Sequence, residues 1–494
     1  MSAYLLKMIG VSKTFAGVRA LDHVNLDIKR GEVLCLAGEN GSGKSSLIKA
    51  IAGVYSIDEG IIEFEGKRIN GISPAEASRL GIQVIYQDLS IFPNLTVMEN
   101  LALNSEIANH KKIVSRKRMY DTARAATGQL NHTIDLNAPM GDLSIADKQV
   151  VAICRALIHN AKLIIMDEPT TALTKKEVAA LFRIIRKLQA FEIAVLFISH
   201  KLEEVFEISE RVVVLRNGRN AYTGLTSELD RKQFTYYMTG RQLEDKRYTP
   251  DLRQDTPVLE VEDLSLKRKY YNISFSVRKG EILGITGLLG CGRTELALTL
   301  FGIKHPDSGK IKLHGRPVTL NTPIDAQRMR IGYLPEDRLT EGLFLQQPIA
   351  DNITVTRISQ LSNKIGILDK RALRNTAREW LDKLAIATDD PAQPVNTLSG
   401  GNQQRVVLAK WLANELDVLV LNGPTVGVDV GSKRDIHDLL HELANKGLAV
   451  IIISDDLPEI ILNCSRVLVM EDGYIKADLV STEIDEARIL SIIR

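Results

Sequence analysis

"EVLCLAGENGSGKSSLIKAIAG", residues 32–53, falls into three pieces: an apolar run, a glycine-rich turn and a helix-forming segment. The turn, "GENGSGKS" at 38–45, fits the pattern GxxxxGK[ST]. Glycines let the backbone close around phosphate groups, with N–H groups pointing inward at a helix N-terminus. In this pattern Lys44 is a point charge for the β- and γ-phosphates and the Ser45 hydroxyl is a ligand for Mg²⁺. Strand, phosphate loop and helix in that order place the chain among the α/β folds. "AKLIIMDEP" (161–169) and "EIAVLFISH" (192–200) lack polar alternation, as strands of a parallel sheet covered on both faces do. The first of them ends in two carboxylates. Asp167 is placed to hold Mg²⁺ through water, and Glu168 to take a proton from an attacking water.

The chain is written twice. "GSGKSSLIKAIAG" (41–53) has an echo in "GCGRTELALTLFG" (290–302), so that Gly38 pairs with Gly287, 249 residues on. "LSIADKQ" (143–149) echoes "LSGGNQQ" (398–404), "FISHKLEE" (197–204) echoes "IISDDLPE" (452–459), and "VLRNG" (214–218) echoes "VMEDG" (469–473), all at an offset of 255. A period this long is a duplicated domain, not a solenoid. The expected boundaries are 1–240, a polar linker at 241–256 with high charge density, and 257–494. In copy one the polar, helical stretch 92–142 is expected to be a helical subdomain inserted into the α/β core.

Composition limits the partners. With 494 residues, 45% hydrophobic and 25% charged, the chain has the mix of a globular protein of two or three domains. A net charge of +2 gives no strong field to hold nucleic acid. The longest apolar runs are far short of the ~20 residues that span a bilayer, and "MSAYLLKMIG" lacks a signal-peptide layout. Cys35, Cys154, Cys291 and Cys464 form no CxxC pair and read as reduced, apolar filler of a cytoplasmic protein.

"LSGGNQQ" resembles the signature sequence of the ATP-binding cassette (ABC) ATPases. The phosphate loop, "MDEP" and His200 of copy one stand in the order of that family. The resemblance covers nearly the whole chain, twice. It implies two P-loop ABC domains, each a RecA-like core with an inserted helical subdomain and an N-terminal antiparallel β-subdomain. It also implies ATP and Mg²⁺ as cofactors. Gln87 in "VIYQDLS" resembles the family's Q-loop glutamine, a Mg²⁺ and water contact. His200 resembles the switch histidine that touches the γ-phosphate. Phe15 in "SKTFAGVRAL" resembles the aromatic that stacks on adenine, with core filling as the alternative. Gly38, Glu39, Asn40, Gly41, Ser42, Gly43, Lys44, Ser45 and Ser46 would wrap the phosphates.

The two copies differ at the positions that matter. "MDEPTTALT" (166–174) and "LNGPTVGVD" (421–429) share a frame, yet the second has lost both carboxylates. In the family, domains pair head to tail and each ATP lies between the phosphate loop of one domain and the signature of the other. Copy one keeps the cis parts Lys44, Ser45, Gln87, Asp167, Glu168 and His200. Copy two has Arg293, Thr294, Glu336, Asn422, Gly423 and Asp455 instead, and Leu264 where Phe15 has its counterpart. The trans parts show the reverse. Copy two keeps Ser399, Gly400, Gly401 and Asp429, whereas copy one has "LSIAD" and Thr174. All intact parts would thus serve one composite site and all altered parts the other. Whether the altered site still holds nucleotide is open at this point.

"YLPEDRLTEGLF" (333–344), "LSGGNQQRVVLAKWL" (398–412) and "GLLGCGRTE" (287–295) are similar to the second copy of the ATPase subunits of bacterial monosaccharide importers. That resemblance implies a peripheral protein on the cytoplasmic face of the inner membrane. It would dock on two integral-membrane permease subunits, served by an extracytoplasmic sugar-binding protein, with no nucleic acid involved. "DLSIFPNLTVMENLAL" (88–103) is the permease-contact segment in such proteins, or ordinary helix packing. "NGPT" departs from the "DEPT" usual in copy two of this branch and leaves the transported sugar or polyol undecided. Two other readings are an ABC ATPase of the translation-factor kind and a non-hydrolysing regulatory module. The degenerate second site and short linker weigh against the first, and the intact set from Lys44 to His200 against the second.

Overall fold

The computed structural model describes residues 4–15, 17–108, 115–171, 173–199, 201–241, 247–249, 256–288, 290–363, 366–388, 390–480 and 483–493, without the side chains of 104–108, 175 and 430. It divides into two units, Met1–Leu243 and Glu244–Arg494.

In unit 1 the apolar runs become a six-stranded sheet in the order Arg219–Leu225, Arg211–Arg216, Val33–Ala37, Ala194–Ile198, Leu163–Asp167, Ile82–Ile85. All neighbours are parallel except the edge hairpin Arg211–Arg216/Arg219–Leu225. The "NG" of that hairpin turns with both residues left-handed, Asn217 at φ 51° and Gly218 at φ 75°, which matches the right-handed twist of the strands. Unit 2 repeats this with Asp472 at φ 49° and Gly473 at φ 82°, so the last echo in the sequence is a hairpin turn. The strand before the acids, Leu163 to Met166, is at most 1% exposed. Burial of each such side chain is worth about 1.5–3 kcal/mol, so the frame of the acid-bearing strand persists whatever its last residues do.

A four-stranded antiparallel sheet, Val18–Ile28, Leu6–Phe15, Glu59–Phe64 and Lys67–Arg68, forms the N-terminal part of unit 1. Helices Val97–Ala108, Arg116–Gln129 and Ile145–Ile158 pack on one another as the inserted helical part. Unit 2 repeats both: a four-stranded sheet, a six-stranded sheet in the order Ile331–Leu334, Val418–Asn422, Ala449–Ile453, Ile282–Gly287, Arg466–Glu471, Tyr474–Val480, and helices Ile349–Thr354, Lys370–Lys383 and Gly400–Leu412. The expected α/β class is the one observed, in two repeated domains that each carry an antiparallel β part and a helical insertion.

Within 88–103 burial differs by residue. Val97, Met98 and Leu101 are core side chains, while Phe92 stays half exposed. The stretch read as a linker is not uniform either. Tyr248 is buried in unit 2, where its N–H donates to Leu462 O (3.0 Å), its hydroxyl donates to Gly280 O (3.2 Å), and its ring stacks on His441. An aromatic ring in a polar stretch finds an apolar seat. Among the described residues no helix is long and apolar enough to cross a membrane, and the four cysteines are buried and unpaired.

Candidate functional site

The phosphate loop of unit 1 starts where strand Val33–Ala37 ends. Gly38 has φ 151°, and a Cβ there would stand 2.4 Å from Leu215 O and 2.5 Å from Ser42 Oγ, so only glycine fits. Lys44 opens the helix Lys44–Ile51 and folds back across the loop, donating from Nζ to Gly38 O (2.6 Å) and Glu39 O (2.8 Å). It is 7% exposed, a buried cation on the concave side of a ring of backbone. Ser42 Oγ is buried without a hydrogen-bond partner in the protein. An orphaned hydroxyl, a buried ammonium and a glycine cradle at a helix N-terminus fit a polyphosphate. Ser45 is exposed on the first turn of that helix.

Asp167 ends strand Leu163–Asp167. Burial first and the charge of Glu168 second push its carboxyl above the usual range, against the pull of Lys44 and Lys49. Asp167 therefore stands within the fields of both Lys44 and its neighbour Glu168, a single carboxylate at the strand end that a divalent cation bound to phosphate could use. Glu168 is held with φ 46°, a left-handed conformation that costs a non-glycine residue about 1 kcal/mol or more. Gln87 is exposed just beyond strand Ile82–Ile85. Phe15 ends strand Leu6–Phe15, partly buried, with its ring edge-on to Tyr55 (4.9 Å) and the Lys13 ammonium above it. His200 lies outside the described residues. The residues around it are fixed by one that sequence reading passed over. Buried Glu204 accepts from Thr170 Oγ1 and Ser199 Oγ, both at 2.7 Å, and so ties the loop after the acids to the end of the histidine strand. Its repeat, Glu459, does the same with Thr425 (2.8 Å) and Ser454 (2.6 Å). Recurrence of a glutamate in both copies was the available signal.

In unit 2 the same positions are repacked. Arg293 takes the place of Lys44, 7% exposed, and donates from Nη1 to Gly287 O (2.7 Å). Its Nη2 faces Asp455 Oδ2 at 3.5 Å. The two substitutions, arginine for lysine and aspartate for histidine, thus form an ion pair. Asn422 is buried and hydrogen-bonded to the hydroxyl of Tyr333, whose counterpart in unit 1 is Val84. Gly423 is left-handed, φ 60°, at the position where Glu168 is strained. Leu264 is wholly buried and offers no stacking face. Thr294, Glu336 and Asn422 line one cavity of about 440 Å³ together with Tyr333 and Arg338.

The signature helices differ in charge at their N-termini. In unit 2 Ser399 caps Gly400–Leu412, accepting from Asn402 N and Nδ2, and no acid enters the first turn. Asp429 caps the next helix, and a Cβ on Gly401 would meet Ser432 Oγ at 2.6 Å and Asp429 Oδ2 at 3.6 Å. Ser399, Gly400, Gly401 and Asp429 are therefore gathered at one place in unit 2. In unit 1 Ser144 caps Ile145–Ile158, but Asp147 stands in that first turn, bonded to Ser144 Oγ (2.8 Å) and His132 (2.9 Å). Ser144 Oγ takes the Asp147 N–H (3.1 Å), and a carboxylate in that first turn repels a phosphate.

Each unit is thus a parallel sheet whose strand ends carry a phosphate loop or its altered copy, and the pair is a tandem nucleotide-binding ATPase. The sequence profile described as "ABC transporter" matches residues 21–171 and 270–426, once in each unit, and the chain belongs to that family. The ribose import ATP-binding protein RbsA of Clostridium perfringens is 42% identical over 489 residues, 99% of this chain and 98% of the relative. A candidate ribose/galactose/methyl galactoside import ATP-binding protein of Geobacillus kaustophilus is 41% identical over 490 residues, 99% of this chain and 97% of the relative. Among solved structures, an ATP-binding cassette of an ABC transporter in its ADP conformation is 30% identical, with a TM-score of 0.43, over 48% of this chain and 94% of that one.

Proposed function

We infer that this chain is the ATP-hydrolysing subunit of an importer for a sugar or related polyol. It acts on the cytoplasmic face of the inner membrane, docked on two integral-membrane permease subunits that receive substrate from an extracytoplasmic binding protein. The full-length identity to relatives named for ribose and galactoside import supports the substrate class.

One composite ATP site works. Its cis parts are the 38–46 loop, Phe15, Gln87, Asp167, Glu168 and His200. Its trans parts are Ser399, Gly400, Gly401 and Asp429. The observation that carries this is the partition: every altered cis residue is in copy two, and the acid-blocked signature helix is in copy one. Lys44 and the loop N–H groups hold the phosphates. Ser45, Gln87 and Asp167 would hold Mg²⁺, which when bound neutralises charge on the phosphate oxygens. Glu168 accepts the proton of the attacking water, and His200 orients the γ-phosphate end. The Arg293 loop, without a magnesium carboxylate or a general base, is a clamp. Glu168→Gln should lower phosphate release below about a tenth of wild type, since a general base is worth about 10²–10⁴-fold. Retention of most of the activity would refute the assignment.

A further inference from the structure

The segment after Glu336 in unit 2 is longer than its counterpart in unit 1. Asn100 and Asn352 are equivalent, each gripping the backbone of a phenylalanine eight residues before it (Phe92 and Phe344), and their offset of 252 exceeds the 249 of the preceding strand. The three extra residues fall within the stretch that holds the turn Arg338–Gly342. Arg338 reaches out of that turn into the loop before Asp429. Its Nη1 donates to Val426 O (2.8 Å) and its Nη2 to Gly427 O (3.3 Å). Its Nε points at Gln403 Oε1 on the signature helix (3.5 Å). A Cβ on Gly400 would stand 2.8 Å from Nη2, so glycine at 400 makes room for the guanidinium. The other end of the turn is held by the same helix, because Lys410 Nζ donates to Gly342 O at 2.5 Å.

Unit 1 has only half of this. There Arg155 of the signature helix donates to Leu89 O (3.1 Å) and Ser90 O (2.9 Å), the counterpart of the Lys410 contact. Leu89 stands where Arg338 does, and Ile145 where Gly400 does. The fork is therefore present only in the unit that keeps the signature and the aspartate. A half-buried guanidinium spent on two carbonyls of one loop and beside the first turn of a helix fixes their spacing. Its own loop also lines the cavity shared by Thr294, Glu336 and Asn422.

We propose that Arg338 is a positioning residue for ATP hydrolysis: it holds Gly400 and the 426–429 loop at the spacing that the ATP on the Lys44 loop requires. This rests on the composite-site reading above.

The test is ATP occlusion in the full chain carrying Glu168→Gln, loaded with Mg-ATP and passed rapidly through a desalting column. Added Arg338→Ala should lower the retained ATP about tenfold or more, one such factor being within the usual span of coupling between sites. Equilibrium affinity for ADP, which reads the cis parts of unit 1, should change less than about twofold. Arg338→Lys keeps the charge without the fork and should recover less than half of the retention. If Glu168→Gln alone retains no ATP, the composite-site reading falls and this proposal with it. If it retains ATP and Arg338→Ala retains as much, Arg338 has no positioning role and the reading stands. A purely structural bracket would lower the unfolding temperature and leave retention unchanged. Full rescue by lysine would replace the fork with charge alone and overturn the proposal.

Discussion

Glu168 and Gly423 explain why copy two keeps a frame and discards its acids. Both positions are left-handed, at φ 46° and φ 60°, because the backbone turns sharply after the strand. In copy one a carboxylate is held there against its own backbone preference, and the strain persists because the strand behind it is core. On the proposed assignment of Glu168 as general base, a copy without that task has glycine as the relaxed solution, and Asn422 with Tyr333 satisfies the buried polar position without charge. Glu168→Gly should therefore raise the unfolding free energy of the chain by about 1 kcal/mol while abolishing phosphate release. Denaturant unfolding with and without the substitution reads the first, and a phosphate assay the second. A loss of stability would mean that Glu168 is held by contacts worth more than its strain.

At the scale of elements, the sheets were legible because their strands are unbroken apolar runs, and the repeat was legible because glycine loops and strand ends recur at fixed offsets. The pairing of Arg293 with Asp455, the bond between Tyr333 and Asn422, and the reach of Arg338 to Val426 were not. Each joins segments far apart in the chain, and the longer turn at 338–342 shifts the offset just where the comparison of copies would have found the last. The partner of each substitution is set by tertiary packing, which periodicity does not carry. Lys410 belongs to the same class. Burial pulls its ammonium down to about 8, and its contact on the described turn is a neutral carbonyl. A lysine with a lowered native value binds fewer protons folded than unfolded above that pH. Stability from this group thus rises as pH goes from about 8 toward the ordinary lysine range. Lys410→Met should remove that rise, on the order of 2 kcal/mol between pH 7 and 10. Parallel pH slopes for wild type and variant would show that the ammonium stays solvated.

For the whole molecule the asymmetry sets a number: nucleotides bound per chain. The altered loop keeps a cation, Arg293, but ties it to Gly287 O and Asp455, and the chain offers neither an aromatic face at Leu264 nor a carboxylate at 422. Loss of base stacking alone removes about 1–3 kcal/mol, which is roughly 5–150-fold in Kd. Loss of the metal's carboxylate weakens Mg-ATP further. At a concentration that saturates the Lys44 loop, the Glu168→Gln chain should hold one ATP rather than two, counted from radiolabelled ATP per mole of protein. Lys44→Ala in that background should then bring the count to zero. A count of two falling to one would mean that Arg293 still carries a nucleotide. In that case copy two lost only its chemistry, and the clamp would be a ligand-dependent one, set by whatever fills the cavity beside Arg338.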